Sequence, residues 1–404
     1  MTLFSWLRGK PFARSASLTE TKASRTGPYV ALSTAGHPVW TPRDYAALVR
    51  EGYTRNAIVY RSVRMIAEAA GSVPWLLYED SRELDSHPLL SLLERPNGRQ
   101  AGGDFLEALY GHLLVSGNAY IEAVALGRDV RELHALRPDR MKVVPGTDGW
   151  PAAFEYTVNG RSVRFDQDAD PLPPILHLTL FHPANDHYGF APIEAAQVGL
   201  DVHNAAGAWS KALLDNSARP SGALVYQTDS GGNLSDEQFE RLKKELEEGF
   251  QGASNAGRPL LLEGGLDWKQ ISLGPRDMDF IEAKNQAARE IALAFGVPPM
   301  LLGIPGDNTY SNYQEANRAF WRQTVLPLVQ RTAKALAHWL APVYGESLRL
   351  WFDVDAIEAL SSEREALWRR VREADFLTVN EKRAAIGYEP VKGGDGPPPA
   401  IGAE

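Results

Sequence analysis

The stretch that most limits what this chain can fold into runs from Ala191 to Ser217. Pro192 suits a first helical turn, and beyond it Val198, Val202, Ala205, Ala206, Trp209 and Leu213 line one side of a helix while Ile193, Ala196 and Leu200 line another. A helix that is apolar on more than one side, and rich in alanine and glycine, has to be covered on several sides. Neighbouring subunits can supply that cover.

The patterns on either side of this helix predict an α+β protein. Apolar residues Ile58, Val59, Val63, Ile66, Ala67 and Ala70 recur at helical spacing and Gly71 closes the helix before the strand-like SVPWLLYED. HPLLSLLERPN reads as a short helix stopped at Pro96, and GGDFLEALYGHLLVSGNAYIEAV as a helix started by Asp104, a turn at Gly117 and Asn118, and a strand. ELHALRP, MKVVPG, AFEYTVNG, RSVRFD and PILHLTLF follow as short strands, so the first part of the chain is expected to hold a mostly antiparallel sheet. PSGALVYQ, the exposed helix LSDEQFERLKKELEEGF and the strands of RPLLLEGGLDWKQISL make a small α+β insertion. A second helix from about Asp277 to Phe295 stops at Gly296, ahead of the loop GVPPMLLGIPGDNTYSN. Ser311 and Gln314 have capping-box spacing at the start of a long helical pattern that reaches about Leu340, and Pro327 inside it should kink or break the helix. SLRLWFDVDA alternates like a strand, and Ser362 with Glu365 and Thr378 with Glu381 are placed to cap two last helices.

The chain has no cysteine, which excludes disulfides, thiolate metal sites and a cysteine nucleophile. No apolar run approaches the roughly 20 residues that span a bilayer, and the N-terminal MTLFSWLRGKPFAR is too short in apolar core for a secretory signal, so a soluble, unexported protein is expected. A net charge of −9 argues against gripping nucleic acid through a dense cationic footprint. The exception is the N-terminus, where Arg8, Lys10, Arg14, Lys22 and Arg25 face only Glu20. His177, His182 and His187 with Asp186 offer metal-ligand types, which would suit a metal-dependent hydrolase, but their even spacing matches neither a helix face nor a strand face. Asp353 and Asp355 share a strand face, more in keeping with solvated residues than with a magnesium site. There is no phosphate-binding Gly-x-x-x-x-Gly-Lys motif and no Gly-x-Ser-x-Gly elbow, and the prolines of GIPGDN remove amides that a phosphate would use. Neither an enzyme nor a cofactor is expected; a structural or conduit role is.

Taken together, NAIVYRSVRMIAEAAGSVPWLLYE, HPLLSLLERPN, LYGHLLVSGNAYIE, LRPDRMKV, YGFAPIEAA, FGVPPMLLG and LTVNEKRAAIGYEPV resemble the HK97-type phage portal proteins, over residues 55 to 390. The resemblance implies one wedge of a ring, usually of twelve subunits, at a single capsid vertex of a phage, prophage or gene transfer agent, assembled in the host cytoplasm, with double-stranded DNA passing through its channel. It implies the terminase large subunit, a head-tail adaptor and the major capsid protein as partners, and no membrane. A head or tail structural protein without DNA contact is the other non-enzymatic reading.

On this chain the resemblance implies a basic disordered arm at 1–30, a wing at 31–190, stem helices at 191–218 and 276–296, and a clip at 219–275. A tunnel loop at 297–312, a long kinked helix and return to the wing at 313–360, a small crown at 361–390 and a disordered tail at 391–404 complete it. Asn308, Thr309, Tyr310, Asn312 and Tyr313 are the expected lumen residues, Arg318 and Arg322 face either DNA or a neighbouring subunit, and Glu240, Lys243, Lys244 and Glu247 are the expected partner surface of the clip.

Overall fold

A helix start at Asn56 anchors the first half of the fold. In this computed structural model the Asn56 side chain accepts from the amides of Ile58 (3.0 Å) and Val59 (3.2 Å), and helix α1, Ala57–Gly71, runs from that cap. The structure describes residues 40–80, 82–215, 222–226, 237, 240, 241, 244, 266–270, 280–306, 309–388 and 390–396. The chain divides into Met1–Trp40 and Thr41–Glu404, and the basic arm expected at 1–30 lies outside the described residues.

After α1 come β1 (Trp75–Glu79), β2 (Arg82–Glu83), α2 (Pro88–Glu94), α3 (Gly102–Ser116), β3 (Asn118–Leu126), β4 (Asp129–Leu136), β5 (Met141–Pro145), β6 (Pro151–Val158), β7 (Arg161–Asp166) and β8 (Ile175–Thr179). Then follow α4 (Gln197–Asp215), β9 (Gly222–Tyr226), β10 (Leu266–Gln270), α5 (Phe280–Phe295), α6 (Tyr310–Phe320), α7 (Leu326–Tyr344), β11 (Leu348–Phe352), α8 (Ser361–Glu373) and α9 (Val379–Ala385). The fold is α+β, as expected, but the strands of the first part do not share one sheet. They form three antiparallel sheets, ordered β11-β1-β2, β4-β3-β8 and β5-β6-β7. The 3-10 turn Pro138–Arg140 ends β4 and lets β5 to β7 pair among themselves. β1 instead pairs with β11 from the far end of the chain, Leu77 opposite Leu350, both buried. One core joins α1, α3, α5 and α7 through Val59, Ile66, Leu109, Leu113, Ile291 and Leu336.

The stretch that began the sequence reading is two pieces. Pro192–Ala195 is a short turn of helix, and α4 starts at Gln197 after Ala196 leaves helical geometry. α4 lies antiparallel to α5: Gly199 packs against Ala287 and Glu290, while His203, one turn on, sits near Lys284. Leu200 and Ala206 are buried, whereas Val198 and Val202 are 56% and 41% exposed and Ala205, Ala208 and Ala212 continue the exposed stripe. The side of Val198, Val202 and Ala205 is therefore bare in one subunit, except at Ala206, while that of Ile193, Ala196 and Leu200 is covered. β9 and β10 pair antiparallel between the two helices.

Two helix starts differ from the sequence reading. α3 begins at Gly102, so Asp104 sits in its first turn, and α8 begins at Ser361 after Leu360, with no side-chain cap from Ser362. Capping-box spacing also arises inside a first turn, where backbone packing has already set the start. Thr378 and Glu381 do form the reciprocal box that opens α9. Residues 391–396, placed in the expected tail, form turns held by Asn380, which donates to the Val391 carbonyl (3.1 Å) and to Asp395 (2.8 Å); 397–404 lie outside the described residues.

The SGN and YGF segments lock into each other. Gly117 ends α3 in the left-handed region (φ 72°) and its carbonyl accepts from Leu180 (2.8 Å). The backbone of Gly189 lies so close that a Cβ there would meet the Leu180 amide nitrogen at 2.7 Å, as well as the Gly117 carbonyl. Asn118, buried, accepts from the Gly189 amide (2.8 Å) and from His177 Nε2 (3.1 Å) and donates to Ser116 (2.7 Å). Removing that side chain strands buried donors. Asn118→Ala is expected to cost roughly 2 to 4 kcal/mol, measured as a fall in the urea midpoint, with a substantial share recovered in Asn118→Asp.

Candidate functional site

The segment between α5 and α6 is built by small, separable devices. Gly296 ends α5 with φ 68°, and its carbonyl accepts from the Thr324 hydroxyl at 2.6 Å across the loop. Pro298 and Pro299 fix φ and start a 3-10 turn, Pro299–Leu302, that Gly303 ends in the left-handed region (φ 72°). Ile304 is buried with Ala288 and Ala292 of α5. Arg289, also on α5, donates to the Pro305 carbonyl and so pins the chain just before the tip. No spacing signal in the sequence links Arg289 to Pro305; only the fold brings them together.

The expected lumen residues divide. Asn308, with Asp307, lies outside the described residues. Thr309 is the cap of α6: its hydroxyl accepts from the Asn312 amide at 3.2 Å, so Ser311 is not the capping residue. Tyr310 opens the helix, and Asn312 and Tyr313 stand in its first turn with Asn312 exposed and Tyr313 50% exposed. They border the loop rather than form it.

Arg318 and Arg322 turn toward α8. Arg318 pairs with Glu315 and reaches Ser362 at 3.5 Å, and Arg322 pairs with Glu363 at 3.0 Å. Within the subunit they tie the long helix to the C-terminal one, an arrangement neither alternative of the sequence reading contained. Between α6 and α7 the backbone adopts a π turn, Trp321–Val325, immediately before Pro327. Proline cannot donate to the carbonyl four residues back, and the widened turn absorbs the misfit at the expected kink. Of the expected clip surface, Glu240 and Lys244 are helical and exposed; Lys243 and Glu247 lie outside the described residues.

The histidines do not converge on a metal. His177 stacks on Tyr120 (centroids 4.2 Å apart) and meets Phe154 edge-on, with Nε2 donating to Asn118. His182 caps a turn by accepting from Ala184 (3.0 Å). Among the described residues no group of three or more His, Cys, Asp or Glu is placed to hold a metal ion. Asp353 accepts from the amides of Asp355 (2.8 Å) and Ala356 (3.2 Å), which is turn chemistry. The hydrolase reading loses its residues.

Burial, with His187 adding to it, pushes the His177 imidazole down to about 3. The folded state therefore holds it neutral, whereas the unfolded chain takes up a proton near pH 6.5. Stability from this group is complete above about pH 6.5 and drains away as pH falls toward 3. His112, lowered by burial to about 4, acts in the same direction. In His177→Gln, whose amide can still donate to Asn118, the acid loss of stability between these pH values should shrink; urea midpoints measured across pH check it. Likewise, Arg289→Ala should speed amide exchange and proteolysis at 303–306 and leave far-UV helix content unchanged.

A family model described as phage portal protein matches residues 57–387. The chain is 56% identical to a protein in the neck of an empty gene transfer agent particle computed with C6 symmetry, covering 89% of this chain and 98% of that one, with a TM-score of 0.71. It is 55% identical to a protein in the neck of a native gene transfer agent particle computed with C12 symmetry, covering 89% and 97%, TM-score 0.68. With the portal protein of Enterobacteria phage HK97 it shares 26% identity over 407 residues, 96% of this chain and 90% of that one.

Proposed function

The chain belongs to the phage portal protein family, and from that premise we propose that it works as one wedge of a twelve-membered ring in a particle neck, with double-stranded DNA entering and leaving through the central channel. The observation that carries this reading is the bare stripe of α4. Val198, Val202, Ala205, Ala208 and Ala212 recur every three or four residues on the side away from the core, small enough for a neighbouring helix to approach closely. A ring built from head-to-tail contacts offers that neighbour to every copy. The likeness to a protein of a neck with C12 symmetry supports the subunit number.

Under this reading α4 and α5 are the stem, the 219–275 insertion is the clip, residues 31–190 are the wing and 361–390 the crown. The 297–312 segment faces the lumen, with Thr309, Asn312 and Tyr313 at its edge. Its design is a stiff base and a short tip: prolines 298, 299 and 305 and the Arg289 contact fix the approach, and only a few residues remain to meet DNA. A net charge of −9 suits passage, since a lumen with many cation contacts would hold DNA at each step. The clip surface around Glu240 and Lys244 takes the terminase large subunit during filling and the head-tail adaptor afterwards, and the wing meets the major capsid protein. The work of translocation belongs to the separate motor; this chain guides and seals.

Val198→Asp/Val202→Asp puts charge into the proposed stem contact while both positions are open in the single subunit, so the fold survives. Native mass spectrometry should show rings for the wild type and monomers for the double variant, a shift of at least a hundredfold in assembly midpoint. Rings that persist in the variant, or a wild type that stays monomeric under all assembly conditions, overturn the stem assignment.

A further inference from the structure

Among the described residues several arginines are held by carboxylates of the same chain: Arg55 by Glu51 at 2.8 Å, Arg131 by Asp129 at 2.8 Å, Arg137 by Asp139 at 2.7 Å and Arg164 by Asp166 at 2.7 Å. Helix α8 departs from that pattern. It carries four arginines, Arg364, Arg369, Arg370 and Arg372, against three glutamates, Glu363, Glu365 and Glu373, in a chain whose balance is −9. Arg364 and Arg322 are engaged with Asp355 and Glu363, but Arg369 and Arg372 have no ion pair among the described residues.

Those two guanidinium groups line a groove of about 540 Å³ between α8 and α9, with Trp368, Lys382, Val371, Ile386 and Glu365 as its other walls. Lys382 donates to the carbonyl of Arg372 at 3.2 Å, which fastens α9 to the C-terminal end of α8 and holds the three cations on one face. The Trp368 indole is 46% exposed beside them. Arg369 and Arg372, three residues apart, are neighbours on one face of the helix. Trp368, Val371 and Ile386 supply the apolar walls, and Glu365 is the one carboxylate among the lining residues. A polymer with phosphate charge at regular intervals fits, because planar guanidinium forks bind phosphate oxygens in pairs and do so without reading bases.

We propose that the α8–α9 groove is a DNA contact separate from the channel loop, in which Arg369, Arg372 and Lys382 hold the phosphate backbone of duplex DNA. The choice of DNA rests on the portal reading. The groove carries the cationic grip that the channel segment lacks, so attachment and passage are assigned to different surfaces of one subunit.

The test uses the full-length assembled protein and a fluorescein-labelled duplex of about 30 base pairs, long enough for several phosphate contacts, followed by anisotropy over a salt series. Arg369→Gln/Arg372→Gln should bind about tenfold more weakly, with a slope of log affinity against log salt flatter by about 1.8, two phosphates at about 0.9 each. Arg369→Lys/Arg372→Lys should stay within about threefold of the wild type, which separates lost charge from lost structure. Unchanged affinity and slope in the Gln variant overturn the proposal, as does tighter binding of a polyglutamate peptide than of the duplex at equal salt. Ring formation is scored in parallel by negative stain: a wild type without rings counts against the portal reading, while intact rings with an unaffected salt slope count against the groove alone.

Discussion

α4 is fixed to the subunit by polar side chains as well as by Leu200, and the setting of the helix depends on them. Its polar side chains turn inward: Asp201 accepts from the Thr41 amide at 3.0 Å, Gln197 accepts from Arg43 at 2.9 Å and donates to the Thr41 carbonyl, and Asn204 donates to the Glu51 carbonyl at 2.8 Å. Asn56, which caps α1, donates from the same amide group to Asn204 (2.9 Å) and His203 (3.0 Å). Partly buried polar groups paired in this way fix one register and one rotation, since a slip leaves donors unpaired. The helix is thereby held with its valines outward.

The segments that read as motifs turn out to be backbone joints. In SGN and YGF the glycines permit two chains to touch and the asparagine satisfies what that contact buries; in LTVNEKRAAIGYEPV, Thr378 and Glu381 start a helix, Asn380 ties down the turns after Val391, and Gly387 leaves the helix with φ 84°. None of these residues needs to act on a substrate to be restricted in kind. Their restriction comes from positive φ, close approach and amides that have no alternative acceptor.

Local structure was legible where a period or a proline set it. The helices at 57–71 and 280–295, the short strands and the break near Pro327 follow from alternation, helical spacing and a missing amide. What the sequence hid is what depends on partners far along the chain. Capping-box spacing pointed to Ser311 where Thr309 caps, because hydroxyls two residues apart offer nearly the same signal and the loop geometry before them decides. Nothing near Arg318 and Arg322 announces Ser362 and Glu363, and nothing near β1 announces β11. The bare stripe of α4 was legible only in part: the sequence showed two apolar sides, and the fold was needed to show which of them stays open.

The segment between α5 and α6 is held at both of its ends at once. Its entry is fixed where Thr324, inside the π turn, reaches back to the Gly296 carbonyl, and its exit is fixed by the Thr309 cap of α6. The π turn exists because Pro327 cannot continue the regular hydrogen-bond ladder, so one proline sets the position of the threonine that clamps the other side of the loop. α6 and the π turn meanwhile lean on α8 through Arg318 and Arg322 respectively. A push on the tip is therefore resisted by α5 through Arg289, by the π turn through Thr324 and by the C-terminal helix through Arg318 and Arg322. Three separate supports thus hold the two ends of the segment between α5 and α6.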